Sequence, residues 1–218
     1  GKTTFLTSEV SFFAEQVTKP ILWFNNEEAH KKVKSRLYQA SLGLPLASLF
    51  SDKKGNVERY KLRTRSLILM PEEESFNKRQ IERICKEVNH SLILFDQIDK
   101  LYGFPDDRED LRLGNIYIWA RELAKKYCPV IGVCQSDGTG EGVKWLTMNN
   151  VANAKTSKQA EADWILGIGA THIEGMEHVR YLNISKNKLS GDEDTDPNMM
   201  HGKIECTIQP EIARYKDF

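Results

Sequence analysis

Short runs of four or five apolar residues alternate along this chain with longer stretches of amphipathic helical spacing. Alternation of that kind predicts a sheet of parallel strands wrapped by helices. Residues 5–17 predict a helix, and Pro20-Ile21-Leu22-Trp23-Phe24 a buried strand ending in Asn25-Asn26-Glu27-Glu28. A charged helix over residues 27–42 carries Ala29, Val33, Leu37 and Ala40 or Ser41 on one face, and Gly43 and Pro45 break it. Residues 51–65 read as a polar connection. A second strand over 66–70 stops at Pro71, where an acidic cap starts a helix over 74–88. Ser91-Leu92-Ile93-Leu94-Phe95 is a third strand ending at Asp96; after a loop over 103–110, a long helix reaches Tyr127. Pro129-Val130-Ile131-Gly132-Val133-Cys134 is a strand ending in Gln135, and a Gly-rich polar stretch fills 136–158. Later strands are expected over 164–168, 179–184 and 203–208, with the acidic run 192–196 as a solvated loop.

Composition narrows this picture. With 218 residues, 40% hydrophobic and 28% charged, the chain has the make-up of a globular protein with a sizeable core. No apolar run reaches the ~18–20 residues of a membrane helix, and no signal-peptide pattern is present. The 31 basic and 31 acidic residues balance. A dedicated nucleic-acid coat would be strongly basic, so any nucleic-acid contact is expected from a local loop. Cys85, Cys128, Cys134 and Cys206 lie far apart without zinc-ligand spacing, which predicts reduced thiols in an intracellular protein and no zinc.

Gly1-Lys2-Thr3-Thr4-Phe5 has the form of the back half of a phosphate-binding P-loop. In that role the backbone N–H groups of the helix start, including those of Gly1 and Thr4, cradle phosphate. Lys2 reaches the β- and γ-phosphates, and the Thr3 hydroxyl ligates Mg²⁺. The front half of the motif would precede residue 1, so a fragment with further sequence upstream is expected. Ligands of open α/β sheets gather at the carboxyl ends of strands, and three polar residues stand there. Asp96 follows four apolar residues, as the metal-binding acid of a nucleotide hydrolase does; otherwise it caps the next helix. Glu27 is placed to orient or deprotonate the water attacking a γ-phosphate, with Glu28 the alternative. Gln135 can sense the γ-phosphate by hydrogen bonding, or merely satisfy loop backbone. Lys186 and Lys188 point to the same side of an extended segment. Supplied across a subunit boundary they can stabilise phosphoryl transfer, and otherwise they are a solvated strand end. Lys144, Lys155 and Lys158, with asparagines between them, suit contact with a single-strand phosphate backbone or an ordinary surface loop.

Taken together, these segments resemble the RecA-fold ATPase domain of DnaB-family ring-shaped replicative helicases, including phage primase-helicases. Gly1-Lys2-Thr3-Thr4-Phe5 resembles the end of the family's first motif. Ile21 to Glu27 resembles the strand bearing the catalytic glutamate, and Leu92-Ile93-Leu94-Phe95-Asp96 the Walker B strand. Ala120 to Gln135 resembles the third motif with its sensor glutamine, and Lys158 to Leu166 the fourth. Lys186-Asn187-Lys188 falls where the family carries a lysine and an arginine finger. Lysine there lacks the bidentate fork and also resembles RecA-type strand-exchange proteins. The resemblance implies an α/β, RecA-like P-loop NTPase over residues 1–218 with a mainly parallel central sheet flanked by helices. It implies ATP and Mg²⁺ as cofactors, single-stranded DNA as partner, a homo-oligomer of hexameric ring type and a primase or polymerase as a further partner. The implied location is a bacterial cytoplasm or phage-infected cell. A filament-forming recombinase and a non-hydrolysing ATP-binding assembly module are the alternatives.

Overall fold

In the computed structural model, which describes residues 1–73, 75–153, 155–188 and 201–217, the chain divides into two units. The first comprises residues 1–105, 122–133 and 209–215. Its elements run α1 (Lys2–Gln16), β1 (Ile21–Asn25), α2 (His30–Leu42), α3 (Leu46–Ser51), α4 (Lys53–Thr64), β2 (Ile68–Leu69), α5 (Lys78–Glu87) and β3 (Leu92–Asp96). Helix α6 (Glu109–Lys126) precedes β4 (Val130–Val133). The strands form a parallel sheet in the order β2-β1-β3-β4.

Strands β1 and β3 are central and buried at every position, which is why both read as unbroken apolar runs. Ile21, Trp23, Leu92 and Leu94 pack against Leu6, Val10 and Ala14 of α1, Val33 and Leu37 of α2, and Tyr60 of α4. Leu22 and Phe24 face the other way by the twofold alternation of a strand. Phe24 meets Phe76 edge-on at 5.1 Å and stacks on Phe95 at 5.5 Å. Each large apolar side chain buried this way contributes about 1.5–3 kcal/mol, so the strand ends that carry the chemistry sit on a firm base. Helix α1 also buries hydroxyls, and they are satisfied locally: Thr7 donates to the Thr4 carbonyl at 2.9 Å and Ser11 to that of Ser8 at 2.7 Å.

Two expectations in this unit are corrected. Residues 51–65 are mostly helix α4, capped where Asp52 accepts from the Gly55 N–H at 3.0 Å. Its buried positions are Asn56, Tyr60 and Thr64, spaced by four, and two of the three are polar, so the helical period carries no apolar signal. Helix α5 starts at Lys78 because Asn77 and Gln80 cap it reciprocally, each side chain bonding the other's backbone at 2.9 Å.

The second unit comprises residues 106–121, 134–208 and 216–218. It holds the N-terminal part of α6, helix α7 (Lys155–Glu161) and strands β5 (Trp164–Gly169), β6 (Val179–Asn187) and β7 (Lys203–Gln209); β8 (Arg214–Asp217) follows. This sheet has the order β5-β6-β7-β8, and β6 pairs antiparallel with both β5 and β7. A parallel arrangement is thus confined to the first unit. The physical reason lies in the link between β5 and β6, residues 170–178, which is shorter than the dozen or so residues a crossover needs. Strand β8 is four polar or aromatic residues and carries no apolar run.

Residues 136–153 are not an open loop. They contain 3₁₀ turns at Gly138–Gly140 and Met148–Asn150. The backbone of residues 143–146 lies directly on β5: a Cβ on Gly169 would fall 2.1 Å from the Lys144 carbonyl, and one on Gly167 2.6 Å from that of Leu146. Asn183 of β6 donates to the Leu146 carbonyl at 2.6 Å. Glycine at 167 and 169 is what lets this strap close onto the sheet. The acidic run 192–196 lies outside the described residues. Among the described residues no helix is long and apolar enough to cross a membrane.

Candidate active site

Gly1 is the N-cap of α1, and its carbonyl accepts from the Phe5 N–H at 3.0 Å. Lys2, Thr3 and Thr4 therefore form the first turn, whose N–H groups have no partner within the helix and suit an anion. Tyr215 braces this turn. Its hydroxyl donates to the Gly1 carbonyl at 3.2 Å and its ring meets Phe5 edge-on at 5.2 Å. No sequence signal links Tyr215 to residue 1, because the contact bridges almost the whole chain.

Asp96 ends β3, in register with Asn25 on one side and Val133 on the other. It is 1% exposed, and neither carboxylate oxygen has a hydrogen bond of ordinary geometry. Burial pushes its pKa from 3.8 to about 6; the Thr3 hydroxyl and Lys2 ammonium act against the rise, and the charges of Glu27 and Glu28 add to it. All five groups thus share one electrostatic neighbourhood. A buried carboxylate that lacks partners is costly, and a cation relieves the cost. Thr3 is itself buried and offers a hydroxyl oxygen. Carboxylate and hydroxyl oxygens are the donors a hard divalent ion prefers, so Thr3 and Asp96 fit Mg²⁺.

The two glutamates differ in what holds them. Glu28 accepts from Arg36 at 2.7 Å and lies 3.3 Å from the Lys32 ammonium. Burial alone would raise its pKa, but the hydrogen bonds and charges of Arg36 and Lys32 bring it below the ordinary value. It belongs to an ion-pair cluster on α2. Glu27 instead turns to the segment after Asp96. Gln97 donates to its Oε1 at 3.3 Å, and the Lys100 ammonium lies 3.6 Å from the same oxygen. Neither partner carries a motif signal of its own, although both are within four residues of Asp96.

The remaining candidates belong to the second unit. Gln135 accepts from the Ala152 N–H through its carbonyl at 3.1 Å. Lys186 donates to the Gln159 carbonyl, and Lys188 to that of Ala160 at 3.3 Å, so both cations meet the C-terminal end of α7. Asp163 lies 3.8 Å from Lys188 and accepts from Arg121 at 3.0 Å. Lys144 pairs with Glu205 at 2.6 Å. Lys155 opens α7, and its side chain lies outside the described residues. Lys158 is corrected as a DNA contact: it is 3% exposed, donates to the Ala152 carbonyl at 2.8 Å and lies over the Tyr117 ring at 5.4 Å. It ties α7 to the strap and to α6.

No family model matches the sequence, and no curated protein matches it. Solved structures do match in fold. The isolated ATPase domain of a helicase superposes with a TM-score of 0.75 at 10% identity, covering 97% of this chain and 81% of that one. A DnaB-like replicative helicase, solved with a study of its interactions with primase, gives the same TM-score of 0.75 at 10% identity over 100% of this chain and 56% of that one. The chain thus spans little more than half of that helicase's length. The RadB recombinase matches at a TM-score of 0.55 and 16% identity, over 99% of this chain and 86% of that one. The chain has the RecA-like fold of the DnaB-family helicase ATPase domains.

Proposed function

We propose that this chain is the motor domain of a ring-forming helicase that hydrolyses ATP to move along single-stranded DNA and unwind duplex. The observation that carries the reading is the buried, unpartnered Asp96 carboxylate beside Thr3, with Glu27 within electrostatic reach. The first turn of α1 and Lys2 bind the β- and γ-phosphates. Thr3 and Asp96 hold Mg²⁺, which neutralises charge on the transferring phosphoryl group. Glu27 orients the attacking water and accepts its proton, a role for which Glu28 is less suited because Arg36 and Lys32 already engage it. Gln135 senses the γ-phosphate, and Lys186 and Lys188 serve the nucleotide of a neighbouring subunit in a hexameric ring. Lys144, with Lys155, contacts the DNA backbone. The setting is intracellular, with a primase or polymerase as a further partner.

The weaker superposition on RadB supports a second reading, a filament-forming recombinase built on the same core. One experiment tests hydrolysis directly. Glu27→Gln is expected to preserve ATP binding and to cut DNA-stimulated turnover by roughly 10²-fold or more. Near-normal turnover in that variant overturns the assignment. Absence of turnover in the unaltered protein, with ATP bound, identifies a nucleotide-holding assembly module instead. Negative-stain images with ATP and single-stranded DNA separate ring from filament.

A further inference from the structure

We infer that Lys100, together with Gln97, is a positioning element that fixes the Glu27 carboxylate for catalysis; the inference rests on the hydrolytic role proposed for Glu27. The geometry starts with the 3₁₀ turn at Ile98–Lys100, directly after the metal-binding strand. Its bonds run from the Lys100 N–H to the Gln97 carbonyl at 3.2 Å and from the Leu101 N–H to that of Ile98 at 3.1 Å. In such a turn, residues three apart eclipse one another. The sequence uses this twice. Ile98 and Leu101 are both buried, while Gln97 and Lys100 both reach Glu27 Oε1, at 3.3 and 3.6 Å.

The apolar pair sets the turn in place. Ile98 lies against Gly132 of β4, where a Cβ would come within 2.8 Å of its Cδ1, so glycine makes room for the plug. Gln97 is itself buried, and its amide has little freedom to swing. Lys100 is 47% exposed along its side chain and reaches back to a glutamate that is 23% exposed. A lysine free to extend into solvent instead spends its rotamers on one carboxylate oxygen. The same short segment thus begins with Asp96 and ends with the cation on Glu27, so the metal ligand and the base are placed by one rigid piece of backbone. Displacement of a catalytic group by an ångström costs up to ~10²-fold in rate, and that sensitivity sets the expected effect.

The test is a double-mutant cycle on the assembled protein with single-stranded DNA, measuring kcat and KM for ATP separately. Lys100→Met, which keeps the aliphatic stem, is expected to lower kcat by about 10- to 100-fold with KM for ATP and thermal stability unchanged. Lys100→Arg, which keeps the cation, is expected to restore most of the rate. In a Glu27→Gln background, Lys100→Met should add no further loss, because the group it positions is already gone. An unchanged or raised kcat in Lys100→Met overturns the inference, as does an equal loss in both backgrounds, and either result leaves Glu27 as the base. Normal turnover in Glu27→Gln alone overturns both proposals.

Discussion

Lys144 lies 2.6 Å from a carboxylate oxygen of Glu205, and the same ammonium rests over the rings of Tyr181 at 4.6 Å and Trp145 at 5.4 Å. The hydrogen bond from Lys144 to Glu205 raises the lysine pKa, so the cation is charged but already matched. A DNA phosphate that uses Lys144 has to displace Glu205. Glu205→Gln is therefore expected to tighten single-strand binding. It should also steepen the dependence of log K on log salt by about 0.7, the value for one additional phosphate contact on a single strand. Fluorescence anisotropy of a labelled oligonucleotide over a salt titration reads both quantities. If neither changes, Lys144 is off the DNA path.

Asp96 makes a pH prediction whose sign follows from its raised pKa. The folded state holds the group at about 6 against 3.8, so its favourable contribution is complete below pH 3.8 and is lost as pH climbs through 6. A rise of that size corresponds to about 3 kcal/mol. Relative to Asp96→Asn, the unaltered protein without nucleotide or metal should lose about that much stability between pH 4 and 7, as followed by denaturant titration. Mg²⁺ with nucleotide should recover the loss in the unaltered protein and not in the variant. Parallel stability curves for the two proteins across this range would show that the carboxylate is not a stored cost.

What the sequence made legible tracks how each residue is buried. Strands β1 and β3 are covered on both faces, and their five-residue apolar runs stood out with Asp96 at the end of one and Glu27 just beyond the other. Helix α4 did not, because Asn56 and Thr64 turn inward and find backbone carbonyls. The P-loop residues and the strand-end acids were legible as types in an order. Their supports were not: Tyr215 reaches Gly1 from the far end of the chain, and Gln97 and Lys100 matter through a 3₁₀ spacing that motif reading passes over. Lys158 misled for a related reason. A lysine in a polar stretch is surface by default, and only packing against Tyr117 and the Ala152 carbonyl takes it inside.

The strap over β5 makes a stability prediction that has nothing to do with nucleotide. Gly169→Ala places a methyl 2.1 Å from the Lys144 carbonyl, a backbone atom that can yield only if the whole strap lifts. The expected cost is about 1–3 kcal/mol, with weakened single-strand binding and ATP binding retained. Thermal unfolding and a nucleotide-binding titration on the same sample check this. A variant as stable as the parent would show that residues 143–146 do not depend on that contact.

The last prediction concerns which subunit Lys186 and Lys188 serve. In the single chain both spend their charge on the end of α7, Lys186 on the Gln159 carbonyl and Lys188 on Ala160 and Asp163. Burial lowers the Lys186 pKa, and the neighbouring charge of Lys188 adds to the effect, so the pair gathers more positive charge than it easily holds. A phosphate from an adjoining subunit would relieve that repulsion. If the lysines act across a boundary, Lys188→Ala and Lys2→Ala subunits, each inactive alone, should recover ATPase when mixed, since some interfaces then pair an intact Lys2 with an intact Lys188. The recovered rate should peak at intermediate mixing ratios and vanish at both ends. Failure at every ratio, with co-assembly confirmed by size and composition, would mean that Lys188 acts on its own chain or serves only to hold α7 in place.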